Sequence, residues 1–202
     1  LEPIQGEGGI HPADATYLRQ AREVTEEAGA ALVFDEIQTG VGRTGTLWAC
    51  ERSEVEPDIL TTAKGIASGL PLGATVCADW IADADPEHGS TFSGGPVVCA
   101  AANATLDVVV EEDLPTRAAD VGSYLVESVE DADLPIREIR GQGLMIGLEV
   151  KRGSNRLLRD LALNEQVLAL PAGRTVLRLL PPLTIGEEHA DQFVESLEAV
   201  LG

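Results

Sequence analysis

Short apolar runs alternate with amphipathic stretches along the first part of this chain, and the two periods predict strands layered with helices. Residues 1–5 read as the tail of a strand, with residues 5–9 a glycine-rich turn at its carboxyl end. Pro12 suits the first turn of a helix, and Gly29 the residue just past its end. Between them Tyr17, Ala21, Val24 and Ala28 recur at helical spacing and predict the buried stripe, leaving Asp14, Glu23, Glu26 and Glu27 on a solvated face. The run 31–34 predicts a second strand, and strand–helix–strand order predicts a parallel pair. Residues 51–56 predict a short helix ended by Pro57, with Trp48 read as core or interface. Residues 59–62 and 74–78 predict two further strands, the latter buried, and the nearly all-apolar stretch 96–111 predicts a buried helix.

Around Asp113-Leu114-Pro115 the pattern changes to charged amphipathic segments, which places a domain boundary there, dividing the chain into 1–112 and 113–202. Ala118, Val121, Leu125 and Val129 predict a helical stripe. Residues 136–139 and 144–150 predict two strands joined by Arg140-Gly141-Gln142-Gly143, and 155–166 a helix. A strand over 176–180 stops at Pro181-Pro182, and Phe193, Leu197, Val200 and Leu201 give a closing helix its apolar face. Two or three strands with helices on one side make a small α+β unit after the α/β one.

Chemistry-bearing residues fall where two predicted strands end. The first run delivers Asp35 into Glu36-Ile37-Gln38-Thr39-Gly40-Val41-Gly42-Arg43-Thr44-Gly45, and Ile59-Leu60-Thr61-Thr62 delivers Lys64, one of only two lysines. Groups at the carboxyl ends of strands in open α/β sheets face the ligand crevice. An acid and an amine there suit a surface ion pair. They also suit pyridoxal phosphate, which needs a lysine for a Schiff base and a carboxylate to keep its ring nitrogen protonated, although these two residues alone favour the ion pair.

The segments Asp35-Glu36-Ile37-Gln38-Thr39-Gly40, Lys64-Gly65 and Glu2-Pro3-Ile4-Gln5-Gly6-Glu7 together resemble the class-III aminotransferases, acetylornithine and ornithine type. The resemblance runs over essentially the whole chain and matches the C-terminal half of such an enzyme, so the chain is expected to be a fragment. It implies a fold-type-I α/β architecture, with 1–112 the C-terminal part of the large cofactor-binding domain and 113–202 the small α+β domain. It also implies pyridoxal 5'-phosphate as cofactor, Lys64 as the catalytic lysine that binds it, Asp35 at the pyridinium nitrogen and Gln38 beside the phenolic oxygen. His88-Gly89-Ser90-Thr91-Phe92-Ser93-Gly94-Gly95-Pro96 resembles the family's His-Gly-Ser-Thr-Phe-Gly-Gly-Asn-Pro loop. On that basis Thr91, with Ser90, reaches the cofactor phosphate of the partner in a homodimer; no asparagine precedes Pro96 here. Glu7 and Arg178 match positions where a glutamate covers a substrate-binding arginine and swings away.

The implied reaction moves an amino group from an ω-amino donor, such as N-acetylornithine or a lysine-pathway relative, to 2-oxoglutarate. Residues 168–173 and 178–183 look most like acetylornithine-type members. The alternatives are a glutamate-semialdehyde aminomutase of the same fold, or a non-catalytic acidic binding domain that kept it.

Charge narrows the partners. With 14 basic against 34 acidic residues the net charge is −20, the wrong sign for nucleic acid. So acidic a surface suits a salt-rich, halophilic cytoplasm, where screening relieves self-repulsion. Cys50, Cys77 and Cys99 are scattered without metal spacing and read as buried free thiols in a reducing compartment. His11, His88 and His189 are equally scattered, so no metal site is expected. No run reaches membrane-spanning length and no signal peptide is visible.

Overall fold

The computed structural model describes residues 1–84, 89–91, 93–151 and 153–202, and carries two main sheets. His88 and Phe92 of the phosphate-loop expectation lie outside the described residues. A small ladder of β1 (Ile4–Gln5) and β2 (His11–Pro12) precedes helix α1 (Ala15–Ala28). The first main sheet has β3 (Val33–Asp35) parallel to β4 (Ile59–Thr62), and β5 (Ala74–Cys77) antiparallel on the far side of β4. Leu1 extends it at the free edge of β3. Its amino group donates to Val33 O at 2.7 Å, and Asp35 N–H donates to Leu1 O at 2.8 Å, the spacing of a parallel pair.

Helix α1 begins where Asp14 accepts from Thr16 N–H at 2.7 Å, and it ends at Gly29, whose φ of 63° suits a residue without a Cβ. Pro12 therefore belongs to β2 and not to the helix. The buried stripe also differs from the expected one: Tyr17 and Val24 are exposed, as is Ala28, and Leu18 and Ala21 face Leu32, Phe34 and Leu60. Arg22 and Thr25 complete the hidden face. The Arg22 guanidinium meets Asp58 at 2.8 Å, and the Thr25 hydroxyl bonds back to Ala21 O. Two polar residues thus occupy a stripe that hydropathy alone assigns elsewhere, although the buried Arg22 Nε has no hydrogen-bond partner.

Beyond β5 come α2 (Asp79–Ala82) and α3 (Pro96–Glu111). Helix α3 has the expected bounds, yet only Ala102 and Val109 are buried, and Val97, Val108 and Val110 are exposed. It packs by one side on Ile66, Ala67 and Leu114. Strand β5 is likewise less buried than expected, with Thr75 and Val76 exposed.

The second sheet is antiparallel, in the order β6 (Ile136–Gln142), β7 (Met145–Val150), β9 (Val176–Leu179), β8 (Leu170–Ala172). Helices α4 (Leu114–Asp131), α5 (Ser154–Asn164) and α6 (Glu187–Leu201) cover one face, burying Leu125, Leu161 and Leu197 against Ile146, Leu148 and Leu177. Strand β8 is short, contains Pro171 and sits at the edge, where a missing N–H costs least. The opposite face meets the first part of the chain, with Met145 packed on Ile4 and Ile10. That junction holds the polar groups of interest. None of the described helices is long and apolar enough to cross a membrane.

Candidate active site

The motif after β3 divides its two acids between two faces. Asp35, in register with Thr61, accepts from Ile37 N–H at 3.0 Å. Glu36 turns the other way into the core, fully buried, and accepts from Ala49 N–H at 3.0 Å, Cys50 N–H at 2.8 Å and the Thr39 hydroxyl. A carboxylate satisfied by three donors ties the glycine-rich turn to the 3-10 turn over Ala49–Ser53. Gly40 permits the close approach of Trp48, whose ring would lie 2.6 Å from any Cβ placed there. Burial, then the neighbouring Glu36 carboxylate, pushes the Cys50 thiol up to about 12. Cys50 is thus an inert core thiol; Cys77 and Cys99 are also unpaired, but half-buried where full burial was expected.

Lys64 opens the 3-10 turn Lys64–Ala67 with φ of 48°. A left-handed backbone in a residue with a side chain costs about 1–3 kcal/mol and persists only where the surroundings hold it. The turn throws Lys64 into a cavity of about 900 Å³ at the junction of the two sheets. Glu7, Gln38, Arg43 and Arg178 line the same cavity, and Ile37, Val109, Leu180 and Leu183 supply apolar wall.

Arg178 stands on β9 between Leu177 and Leu179, which face the helices, so its own side chain points to the junction. It is buried. Its Nη1 donates to Glu7 Oε1 at 2.6 Å and to Gln38 Oε1 at 3.2 Å, while its buried Nε has no partner. Gln38 Nε2 in turn donates to Glu7 Oε1 at 3.5 Å. Glu7 is largely exposed, and the hydrogen bond and charge of Arg178 hold its carboxyl below the usual value. Arg43 ties the two parts of the chain by donating to Leu144 O at 3.2 Å and to Pro181 O at 2.5 Å. Burial lowers its pKa to about 10, which leaves it charged at neutral pH.

Of the residues singled out in the sequence, Lys64, Gln38, Glu7 and Arg178 therefore meet in one cavity. Asp35 does not line it but stands at the end of the adjacent strand. Ser90 and Thr91 are exposed and do not line it. Arg43 and Glu36 were not anticipated; an arginine inside a glycine-rich turn and an acid next to Asp35 were the only signals. No cluster of histidine, cysteine and carboxylates suited to a metal occurs among the described residues. The donor set fits pyridoxal phosphate: an amine and a carboxylate at the ends of parallel neighbours, an amide beside them, and an unsatisfied buried guanidinium N–H.

The family model for aminotransferase class-III matches residues 1–201. The acetylornithine aminotransferase of Methanosarcina mazei is 44% identical over 98% of this chain and 50% of its own length. The [LysW]-aminoadipate semialdehyde transaminase of Deinococcus radiodurans is 44% identical over 100% of this chain and 48% of its length. Among solved structures, the ornithine aminotransferase of Toxoplasma gondii superposes with a TM-score of 0.91 at 36% identity, over 99% of this chain and 50% of that one. The acetylornithine aminotransferase of Elizabethkingia anophelis gives 0.89 at 35% identity, over 99% and 55%. The chain spans about half the length of the curated relatives it matches. With the family model matched over residues 1–201 and the fold shared over 99% of its length, the chain belongs to the class-III aminotransferases.

Proposed function

We propose that the complete gene product is a pyridoxal-phosphate-dependent transaminase, and that this chain supplies its catalytic lysine and its substrate-carboxylate site. The observation that carries the reading is one cavity shared by Lys64 and the Arg178–Glu7–Gln38 cluster. The donor is an ω-amine of the N-acetylornithine or aminoadipate-semialdehyde kind, as the names of the similar proteins suggest, and the acceptor is 2-oxoglutarate. Such a reaction belongs to arginine or lysine biosynthesis. In this reading residues 1–112 are the C-terminal part of the large domain and 113–202 the small one.

Pyridoxal phosphate, when bound, supplies a carbonyl that condenses with amines and a ring that accepts electron density. Lys64 Nζ holds the cofactor and then moves a proton to and from the reacting carbon. Asp35 pairs with the ring nitrogen and Gln38 with the phenolic oxygen. Arg178 grips the acceptor's carboxylate with a planar fork. Glu7 covers that charge while the donor occupies the site and withdraws for the acceptor; its exposure leaves it free to do so. Exposed Ser90 and Thr91 reach the partner's phosphate across a homodimer in the cytoplasm.

Adding N-acetylornithine to the pyridoxal-phosphate-loaded gene product should shift its visible absorption, and 2-oxoglutarate should reverse the shift. Lys64→Ala should abolish turnover by several orders of magnitude. A colourless protein that transfers no amino group, or a Lys64→Ala variant as active as the parent, overturns the reading.

A further inference from the structure

The turn carrying Glu7 lies across a single cross-strand row of the second sheet. Arg140 of β6 is in register with Gly147 of β7, and Gly147 with Arg178 of β9. Directly opposed residues of an antiparallel sheet share a face. Two arginines therefore stand two strands apart on the face turned to the cavity, with a glycine between them.

Residues 6–10 touch all three. Glu7 accepts from Arg178 at 2.6 Å. Ile10 lies over Gly147, where an added Cβ would come within 2.8 Å of Ile10 Cβ. Gly9 O accepts from Arg140 Nε at 2.9 Å. Arg140 is itself fixed, with a side chain 9% exposed and Nη1 donating to Glu138 at 2.7 Å and Glu149 at 2.8 Å. The near end of the turn is held as well, since Gly6 N–H donates to Glu2 Oε2 at 2.9 Å. Between two pinned ends, the Glu7 side chain is 73% exposed.

We propose that Arg140 is a positioning residue of the substrate gate: by holding Gly9 O, it sets the place from which Glu7 covers Arg178. The proposal rests on the reading of Arg178 as the substrate-carboxylate site. Arg140 touches neither substrate nor cofactor and acts through Glu7. Gly147 has a matching part, because any side chain there lifts Ile10 and the turn with it. Releasing Gly9 frees Glu7, two residues away, and bares Arg178 to carboxylates.

The test uses the pyridoxal-phosphate-loaded gene product and glutarate, a dicarboxylate with no amino or oxo group, in titration calorimetry. Arg140→Lys keeps a positive charge beside Glu138 and Glu149 but loses the fork that reaches Gly9, so the fold should survive. Because Glu7 is largely exposed, uncovering its pair with Arg178 is expected to be worth about a fivefold change. Arg140→Lys and Glu7→Gln should each bind glutarate up to about fivefold more tightly than the parent. The double variant should gain no more than either single, because both act on one contact. A merely structural arginine would lower the melting point without raising affinity, and unchanged or weaker glutarate binding by a folded Arg140→Lys overturns the proposal. If Arg178→Ala leaves glutarate binding unaltered, the carboxylate-site reading is what fails. The gate is then decided by a double-mutant cycle of Glu7→Gln and Arg140→Lys on unfolding, where non-additive effects support it and additive ones overturn it.

Discussion

Lys64 and Asp35 taken alone suit a surface ion pair; the family motifs around them are what single them out in the sequence, and the structure places Lys64 in the cavity with a left-handed backbone. Asp35 stands beside the cavity and does not line it. A charge pair at contact distance is worth roughly 4 kcal/mol at an effective dielectric near 20. Losing half of it lowers a rate about thirtyfold. Asp35→Asn in the loaded gene product should therefore retain cofactor absorption yet react at least tens-fold more slowly in single turnover; an unimpaired rate would remove Asp35 from its assigned place. Glu7 gives a second prediction, from pH. Its carboxyl is held below the usual value by the Arg178 hydrogen bond and charge, so the pair stabilises the fold above the ordinary carboxylate pKa. That contribution is lost as pH falls through the lowered pKa. The melting-point difference between the parent and Glu7→Gln should stay flat from neutral pH to about 5 and then shrink on further acidification. A difference that vanished between pH 8 and 6 would assign the effect to some other group. Arg43 and Glu36 escaped the sequence reading because their partners are backbone groups far away in the chain, and no local pattern encodes those.

Elements whose apolar stripe meets its own chain were readable from periodicity. All four stripe residues assigned to α4 are buried: Leu125 and Val129 pack on the second sheet, and Ala118 and Val121 on Leu144, Leu183 and Ile185. Helix α1 has its acidic residues on the solvated face as expected, but of the expected stripe only Ala21 packs inward. Leu18, Arg22 and Thr25 share the hidden face, Arg22 through a bond to Asp58 far along the chain and Thr25 through a local one. Helix α3 was read as buried from composition alone, and composition does not say where the burying partner comes from. The contact between elements nearest the site also carries a prediction. Gly122 of α4 approaches the backbone of Gly143, and an added Cβ would meet Gly143 O at 2.1 Å. Gly143 in turn abuts the backbone of Thr44, where a Cβ would lie 2.6 Å from the carbonyl carbon. Three backbones thus stack from helix to hairpin to the turn that bears Gln38 and Arg43, with no flexible side chain able to yield. Overpacking of this kind costs about 1–3 kcal/mol. Gly122→Ala should lower the urea midpoint accordingly and weaken glutarate binding with it, since the glycine-rich turn must move. A variant with parental stability would mean that α4 tilts away without loss.

At the scale of the whole molecule the dominant quantity is charge, −20 over 202 residues. Three arginines with largely buried side chains are engaged inside the fold, Arg22 with Asp58, Arg140 with Glu138 and Glu149, and Arg178 with Glu7. Few of the 34 acidic residues find a cation among the described residues, so most of the negative charge is not offset by ion pairs. Self-repulsion of that kind opposes the compact state, and its reach is set by salt: about 10 Å at 0.1 M and about 3 Å at 1 M. We propose on this ground that the protein is adapted to high salt. The complete gene product should lose circular-dichroism signal on desalting, and its melting point should rise by roughly 5–10 °C between about 0.1 M and about 1 M potassium chloride. Sucrose separates charge screening from general exclusion of solute, because it strengthens burial without screening. If sucrose alone reproduced the rise, the effect would belong to the apolar core. If desalting left both the spectrum and the melting point unchanged, the acidic surface would have to be stable by itself, and adaptation to salt would be withdrawn.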